Sequence, residues 1–274
     1  MTLLIQISDP HFGTEQPQVL EALVRLVHEQ KPELAVMSGD ITQRALRAEF
    51  RAAKHFIERL QVPATLVIPG NHDIPLFNLA DRIFRPYANY QRELGADLEP
   101  RFESDSLLVI AVKTTRRYRH ADGEVSQPQI DRVAALLQRA TDKQLRIVVT
   151  HQPVCVTRPE DKTNLLHGHE AAIRSWATAG ADLILGGHIH LPYVRPLHER
   201  YPDLARRVWA VQAGTAVSDR VRYDAGNSVN LIHYDSDATP RQCAIERWDY
   251  LVRTQGFEPA AVYELRFGAE AHVG

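Results

Sequence analysis

The chain has 274 residues, of which 44% are hydrophobic and 24% charged, and its formal net charge at pH 7 is −2. That is an ordinary soluble composition, long enough to bury a sizeable core, and its charge gives no general attraction for polyanions, which argues against an extended nucleic-acid track. Two cysteines, Cys155 and Cys243, are too few for a disulfide framework and are not spaced as zinc thiolates, and no apolar stretch approaches the ~20 residues that span a bilayer.

In chain order, Met1 leads straight into a branched apolar run at 3–8, with neither a basic leader nor a small-residue cleavage site. The expectation is therefore a cytoplasmic protein with no membrane partner. The run ends at Asp9 and His11, and a helical period follows over 18–30. A second run, 34–38, ends at Gly39 and Asp40 and is followed by helical spacing over 45–60. A third, 65–68, leads into Gly70-Asn71-His72-Asp73, with one helix expected over 76–94.

A strand is expected over 107–112, then a long polar connection, 114–126, that carries Arg116, Arg117, Arg119 and His120. Helical spacing over 127–139 precedes a strand at 146–150 that delivers His151. A second polar loop, 156–168, leads to a helix over 169–179, and the strand at 182–186 ends on Gly187-His188-Ile189-His190. Further strands are expected over 208–213 and 228–233, and the segment 243–274 is expected to pack on the core, at a sheet edge or at a subunit contact, which leaves a homodimer open.

No repeat or linker divides the chain, so a single domain over 1–274 is expected. Alternating strands and helices imply an α/β fold, and this many strands suit two packed sheets better than one very wide one.

Taken one at a time, a buried Asp or His is usually a structural group that has found its hydrogen bonds. Here five strand ends carry Asp9-x-His11, Gly39-Asp40, Gly70-Asn71-His72-Asp73, His151 and Gly187-His188-Ile189-His190, all ligands of matching chemistry. Loops at the C-terminal ends of strands converge on one crevice in α/β sheets, so the placement itself predicts a two-metal hydrolase.

In these motifs and their order the chain resembles the calcineurin-like metallophosphoesterases, and within them the bacterial class III cyclic nucleotide phosphodiesterases. The resemblance covers about the first 190 residues and implies an αββα sandwich: two packed mixed sheets flanked by helices. It implies one metal on Asp9, His11, Asp40 and His190, and another on Asp40, Asn71, His151 and His188, with Asp40 bridging. Imidazole and oxygen donors suit Mn, Fe, Zn or Co, and the donor set does not choose among them.

By the same resemblance a hydroxide held between the metals attacks the phosphorus. His72 faces the substrate to stabilise the phosphoryl group or protonate the leaving oxygen, with Asp73 orienting it. Arg116 is a candidate phosphate clamp from the 114–126 loop.

The expected activity is hydrolysis of a small phosphodiester, with 3′,5′-cyclic AMP the first candidate. A monoesterase, a glycerophosphodiesterase or a nuclease of the same superfamily is the alternative. A non-catalytic protein-binding scaffold is disfavoured, because such a protein could lose metal ligands freely and this chain retains the full set.

Overall fold

In the computed structural model, residues 1–222 and 224–267 are described. The first part of the chain runs β1 (Thr2–Ile7), α1 (Pro17–Gln30), β2 (Leu34–Met37), α2 (Arg47–Leu60), β3 (Ala64–Val67), α3 (Leu79–Phe84) and α4 (Ala88–Leu94). It continues through β4 (Arg101–Glu103), β5 (Leu107–Ala111), α5 (Gln127–Leu137), β6 (Leu145–Val149), α6 (His169–Ala179), β7 (Leu183–Gly186), β8 (Tyr193–Pro196) and β9 (Trp209–Gln212). It closes with β10 (Ser228–Asp235), β11 (Gln242–Leu251) and β12 (Gly256–Leu265).

These strands form two mixed six-stranded sheets, ordered β12-β11-β10-β1-β2-β3 and β4-β5-β6-β7-β9-β8. In the first, β1, β2 and β3 run parallel, with Leu4 opposite Leu34 and Leu34 opposite Ala64, while β10 pairs antiparallel with β1. In the second, β5, β6, β7 and β9 are parallel and the edge strands β4 and β8 run against them.

The period of two along each strand explains the layering. Leu4, Leu34 and Val36 point into an inter-sheet core with Val109, Ile147, Val149 and Leu185, whereas Ile5, Ile7, Ala35 and Met37 face α1 and α2 on the outside. On the other side, Leu108, Ile110, Val148 and Ile184 pack under α5 and α6. Both sheet faces are buried, which is why these strands read as continuous apolar runs. Helix α2 supplies its share through Phe50, Ala53, Phe56 and Leu60, spaced by three, three and four. The expected αββα architecture is what the chain forms.

One helix differs from expectation. The helix expected over 76–94 is broken into α3 and α4. Pro86 disfavours helical geometry at the residue before it, and Arg85 leaves the helix at φ −144°, ψ 53°. The C-terminal segment extends the first sheet at its edge as β11 and β12. Residues 268–274 of that segment lie outside the described residues. No helix among the described residues is long and apolar enough to cross a membrane.

Candidate metal centre

All seven candidate ligands lie on loops that leave the C-terminal ends of β1, β2, β3, β6 and β7. Five of them, Asp9, His11, Asp40, His188 and His190, have positive φ, at 50°, 44°, 48°, 73° and 53°. Non-glycine residues held there cost roughly 1–3 kcal/mol each, so the surrounding bonds must over-determine the loops. The amide of Asp9 donates to the Gly39 carbonyl at 3.1 Å, His11 to Asp40 at 3.1 Å, and Gly187 to His151 at 2.8 Å. Gly39 permits this closeness: a Cβ there would stand 2.3 Å from His151 Nδ1.

The loops bring the ligands together in two overlapping groups. In one, His190 Nε2 lies 3.4 Å from Asp9 Oδ1 and 3.1 Å from His11 Nε2. In the other, His151 Nε2 lies 3.3 Å from Asp40 Oδ1 and 3.1 Å from Asn71 Oδ1, with the His188 ring centred 5.1 Å from that of His151. Asp40 belongs to both, its Oδ2 being 3.7 Å from His11 Nε2. Ligand atoms of Asp9, His11 and His190, and likewise of Asp40, His151 and His188, all fall within 4.8 Å of one another.

Outer contacts fix the aim of these groups. Asp9 accepts from the Ser8 hydroxyl at 2.5 Å and from the His188 amide at 3.0 Å to each oxygen, and Asp40 Oδ1 accepts from the His72 amide at 2.8 Å. His151 Nδ1 donates to the Ser38 carbonyl at 2.9 Å, and His190 Nδ1 to the Arg220 carbonyl at 2.7 Å, so both turn Nε2 inward.

The electrostatics fit cations. Burial would raise the Asp9 and Asp40 carboxyls, yet the surrounding histidines hold Asp9 low and Asp40 well below the usual range, so both are anionic. Burial pushes His11 down to about 3 and, with help from His151, His188 down to about 4, leaving neutral imidazoles. Burial also acts to lower His151, but Asp40 overrides it and raises that ring to about 9. Both ring nitrogens of His188 and Nδ1 of His11 are buried with no hydrogen-bond partner among the described residues. Orphaned neutral imidazoles beside buried carboxylates are donors that divalent cations would satisfy.

His72 stands at the rim, its ring 4.8 Å from that of His11 and edge-on to it. Asp73 makes its hydrogen bonds to other groups among the described residues. Its Oδ1 accepts from the Thr42 amide and hydroxyl, both at 2.8 Å, and its Oδ2 from the amides of Ile41 at 3.0 Å and Gly70 at 2.8 Å, so the carboxylate ties the Asp40 and Asn71 loops together. Burial, then the charge of Asp40, pushes its carboxyl up to about 6. Arg116 is also engaged elsewhere: it donates to the carbonyls of Lys113 and Thr115 at 3.0 and 3.2 Å and to Gln129 Oε1 at 2.6 Å.

A cleft of about 200 Å³ opens beside Asn71 and His72, walled by Ile74, Leu76 and Phe77 and by Gln43, Arg44, Arg82 and His120. Sequence reasoning missed Gln43 and Arg220. Arg220 follows β9, and the strand-end rule that found the ligands, extended to that strand, would have included its loop.

The chain belongs to the calcineurin-like phosphoesterase family, whose sequence profile matches residues 2–192, and it is a metal-dependent phosphoric ester hydrolase. Among curated proteins it is similar to a probable glycerophosphodiester phosphodiesterase, GpdQ, of Arcobacter nitrofigilis, at 25% identity over 202 residues, covering 69% of this chain and 71% of the relative. Among solved structures it resembles the purple acid phosphatase from yellow lupin (Lupinus luteus) seeds, with a TM-score of 0.69 and 12% identity over 96% of this chain; the chain spans only 53% of that protein. It also resembles a dimetal phosphatase from Danio rerio, with a TM-score of 0.66 and 12% identity over 97% of this chain and 99% of that one. At such identities these structures speak for the fold alone.

Proposed function

We propose that the protein is a binuclear phosphodiesterase that holds one metal ion with Asp9, His11, Asp40 and His190 and a second with Asp40, Asn71, His151 and His188. The observation that carries this reading is the place of Asp40, whose Oδ1 faces His151 at 3.3 Å and whose Oδ2 faces His11 at 3.7 Å, so that one carboxylate addresses both halves. When bound, the ions supply Lewis acidity toward phosphoryl oxygens and water. The chain supplies the rest: two buried carboxylates to balance charge, an Asn71 amide that adds a donor without adding charge, and loops that hold these groups rigidly.

A diester substrate is supported by the cleft beside His72, which is larger than a phosphoryl group needs and offers an ester substituent both apolar lining, Leu76 and Phe77, and polar lining, Gln43 and Arg44. We infer 3′,5′-cyclic AMP as the first substrate to test, its base suiting the apolar wall. A glycerophosphodiester is the second, favoured by the name of the Arcobacter relative. Two free, buried cysteines agree with a reducing, cytoplasmic setting.

The deciding experiment strips the metal, reloads the protein with Mn²⁺ and measures turnover of cyclic AMP, glycerophosphocholine, bis-p-nitrophenyl phosphate and p-nitrophenyl phosphate, with Asn71→Ala as control. Metal-dependent diester turnover that the substitution abolishes is expected. Turnover of the monoester alone would replace this reading with a phosphatase.

A further inference from the structure

Arg220 lies on the loop after β9, and its main chain is tied to the candidate ligands on two sides. Its carbonyl accepts from His190 Nδ1 at 2.7 Å. Its amide donates to Ser218 Oγ at 3.2 Å; that hydroxyl pairs with Thr215 Oγ1 at 2.7 Å, which in turn donates to the Asp9 carbonyl at 2.6 Å. From this anchored position the side chain crosses the rim, placing Nη1 3.0 Å from both His72 Nε2 and Gln43 Oε1.

The Gln43 main-chain carbonyl, 2.9 Å from His72 Nδ1, can only accept, so Nδ1 carries a hydrogen and the ring is held in place. Arg220 Nη1 is 3.0 Å from Nε2 and 3.5 Å from Nδ1, close to both ring nitrogens, so the guanidinium lies over the ring face and its positive charge stands at the rim beside His72. Nor is that charge spent on a carboxylate. Arg119 pairs with Glu124 at 3.0 Å and Arg222 with Asp161 at 2.9 Å, whereas Arg220 has no ion-pair partner among the described residues. Its Nε and Nη2 make no hydrogen bond with them either, which leaves two further donors on a half-buried, pre-positioned fork.

Building on the phosphoesterase reading above, we propose that Arg220 is a substrate-binding residue whose guanidinium grips a non-bridging oxygen of the phosphoryl group. Fixed by its main chain and by Gln43, it needs no reorganisation to meet that oxygen.

The test is calorimetric titration of inorganic phosphate into the Mn²⁺-loaded protein, alongside KM and kcat for bis-p-nitrophenyl phosphate, with Arg220→Gln, Arg220→Lys and Arg220→Ala. Losing one charge-assisted contact is expected to weaken phosphate binding and raise KM by roughly tenfold to a hundredfold, with kcat less affected. Bound manganese should be unchanged, Arg220→Lys should recover part of the loss, and millimolar guanidinium should partly restore Arg220→Ala. Phosphate affinity and KM within twofold of the parent in Arg220→Gln overturn the proposal, as does metal loss that accounts for the whole defect. Arg220-dependent phosphate binding without turnover of any ester would leave this assignment standing and remove the phosphodiesterase reading; diester turnover indifferent to Arg220 would do the reverse.

Discussion

The Nε2 atoms of His11 and His190 stand 3.1 Å apart in the buried centre, closer than two imidazole lone pairs tolerate without something between them. His190 donates its Nδ1 hydrogen to the Arg220 carbonyl, so its Nε2 is turned toward that of His11, and both are nitrogens that take up either a proton or a cation. Protons and metal ions therefore compete for the same donors.

His151 makes that competition measurable. Its ordinary value is 6.5 and its folded value about 9, because Asp40 outweighs the effect of burial. A raised folded pKa means that the stabilising contribution of the protonated ring is complete below pH 6.5 and is lost as pH rises through 9. Metal binding requires the neutral ring. The metal-free protein should thus lose melting temperature between pH 6.5 and 9, while apparent Mn²⁺ affinity rises by roughly tenfold per pH unit over the same window. Scanning fluorimetry of chelated protein and a competition titration read the two trends; an affinity flat across the window would remove His151 from the ligand set.

Asp73 should behave as a structural residue. An amide in Asp73→Asn turns one acceptor oxygen into a donor facing either the amides of Ile41 and Gly70 or the amide and hydroxyl of Thr42, and leaving such donors unmatched costs about 1–3 kcal/mol. The expected result is a lower urea midpoint with kcat largely kept in the folded fraction. A collapse of kcat at unchanged stability would return Asp73 to a catalytic role.

Gly70 is predicted to be intolerant of any side chain. A Cβ there would lie 2.1 Å from the Asp40 amide nitrogen and 2.2 Å from its Oδ1, and the nitrogen is backbone that cannot swing aside. Gly70→Ala should cost about 1–3 kcal/mol and displace Asp40, lowering the number of ions bound per chain as counted by plasma emission. An alanine variant with the parent's melting point and metal content would show that the two loops are looser than this packing allows.

The ligand positions were legible because each follows a short, branched apolar run, and strand ends are where α/β sheets converge; sheet order was not, since register depends on partners far along the chain. The bonds of Asp73 were not legible because the donors that define them, at Ile41 and Thr42, arrive about thirty residues earlier. The direction of Arg116 was not legible because it depends on Gln129 at the start of α5. Strand β12 was hidden by Pro259, which a strand interior excludes but this edge strand accepts, at a point where its register with β11 shifts. Arg220 carried no local motif, and only the folded neighbourhood of His72 and His190 gives it meaning.

Asp9, His11, Asp40 and Asn71 ride on loops of one sheet, and His151, His188 and His190 on loops of the other. An ion held by both sets would therefore be a clasp across the seam of the sandwich, tying the loops of one sheet to those of the other.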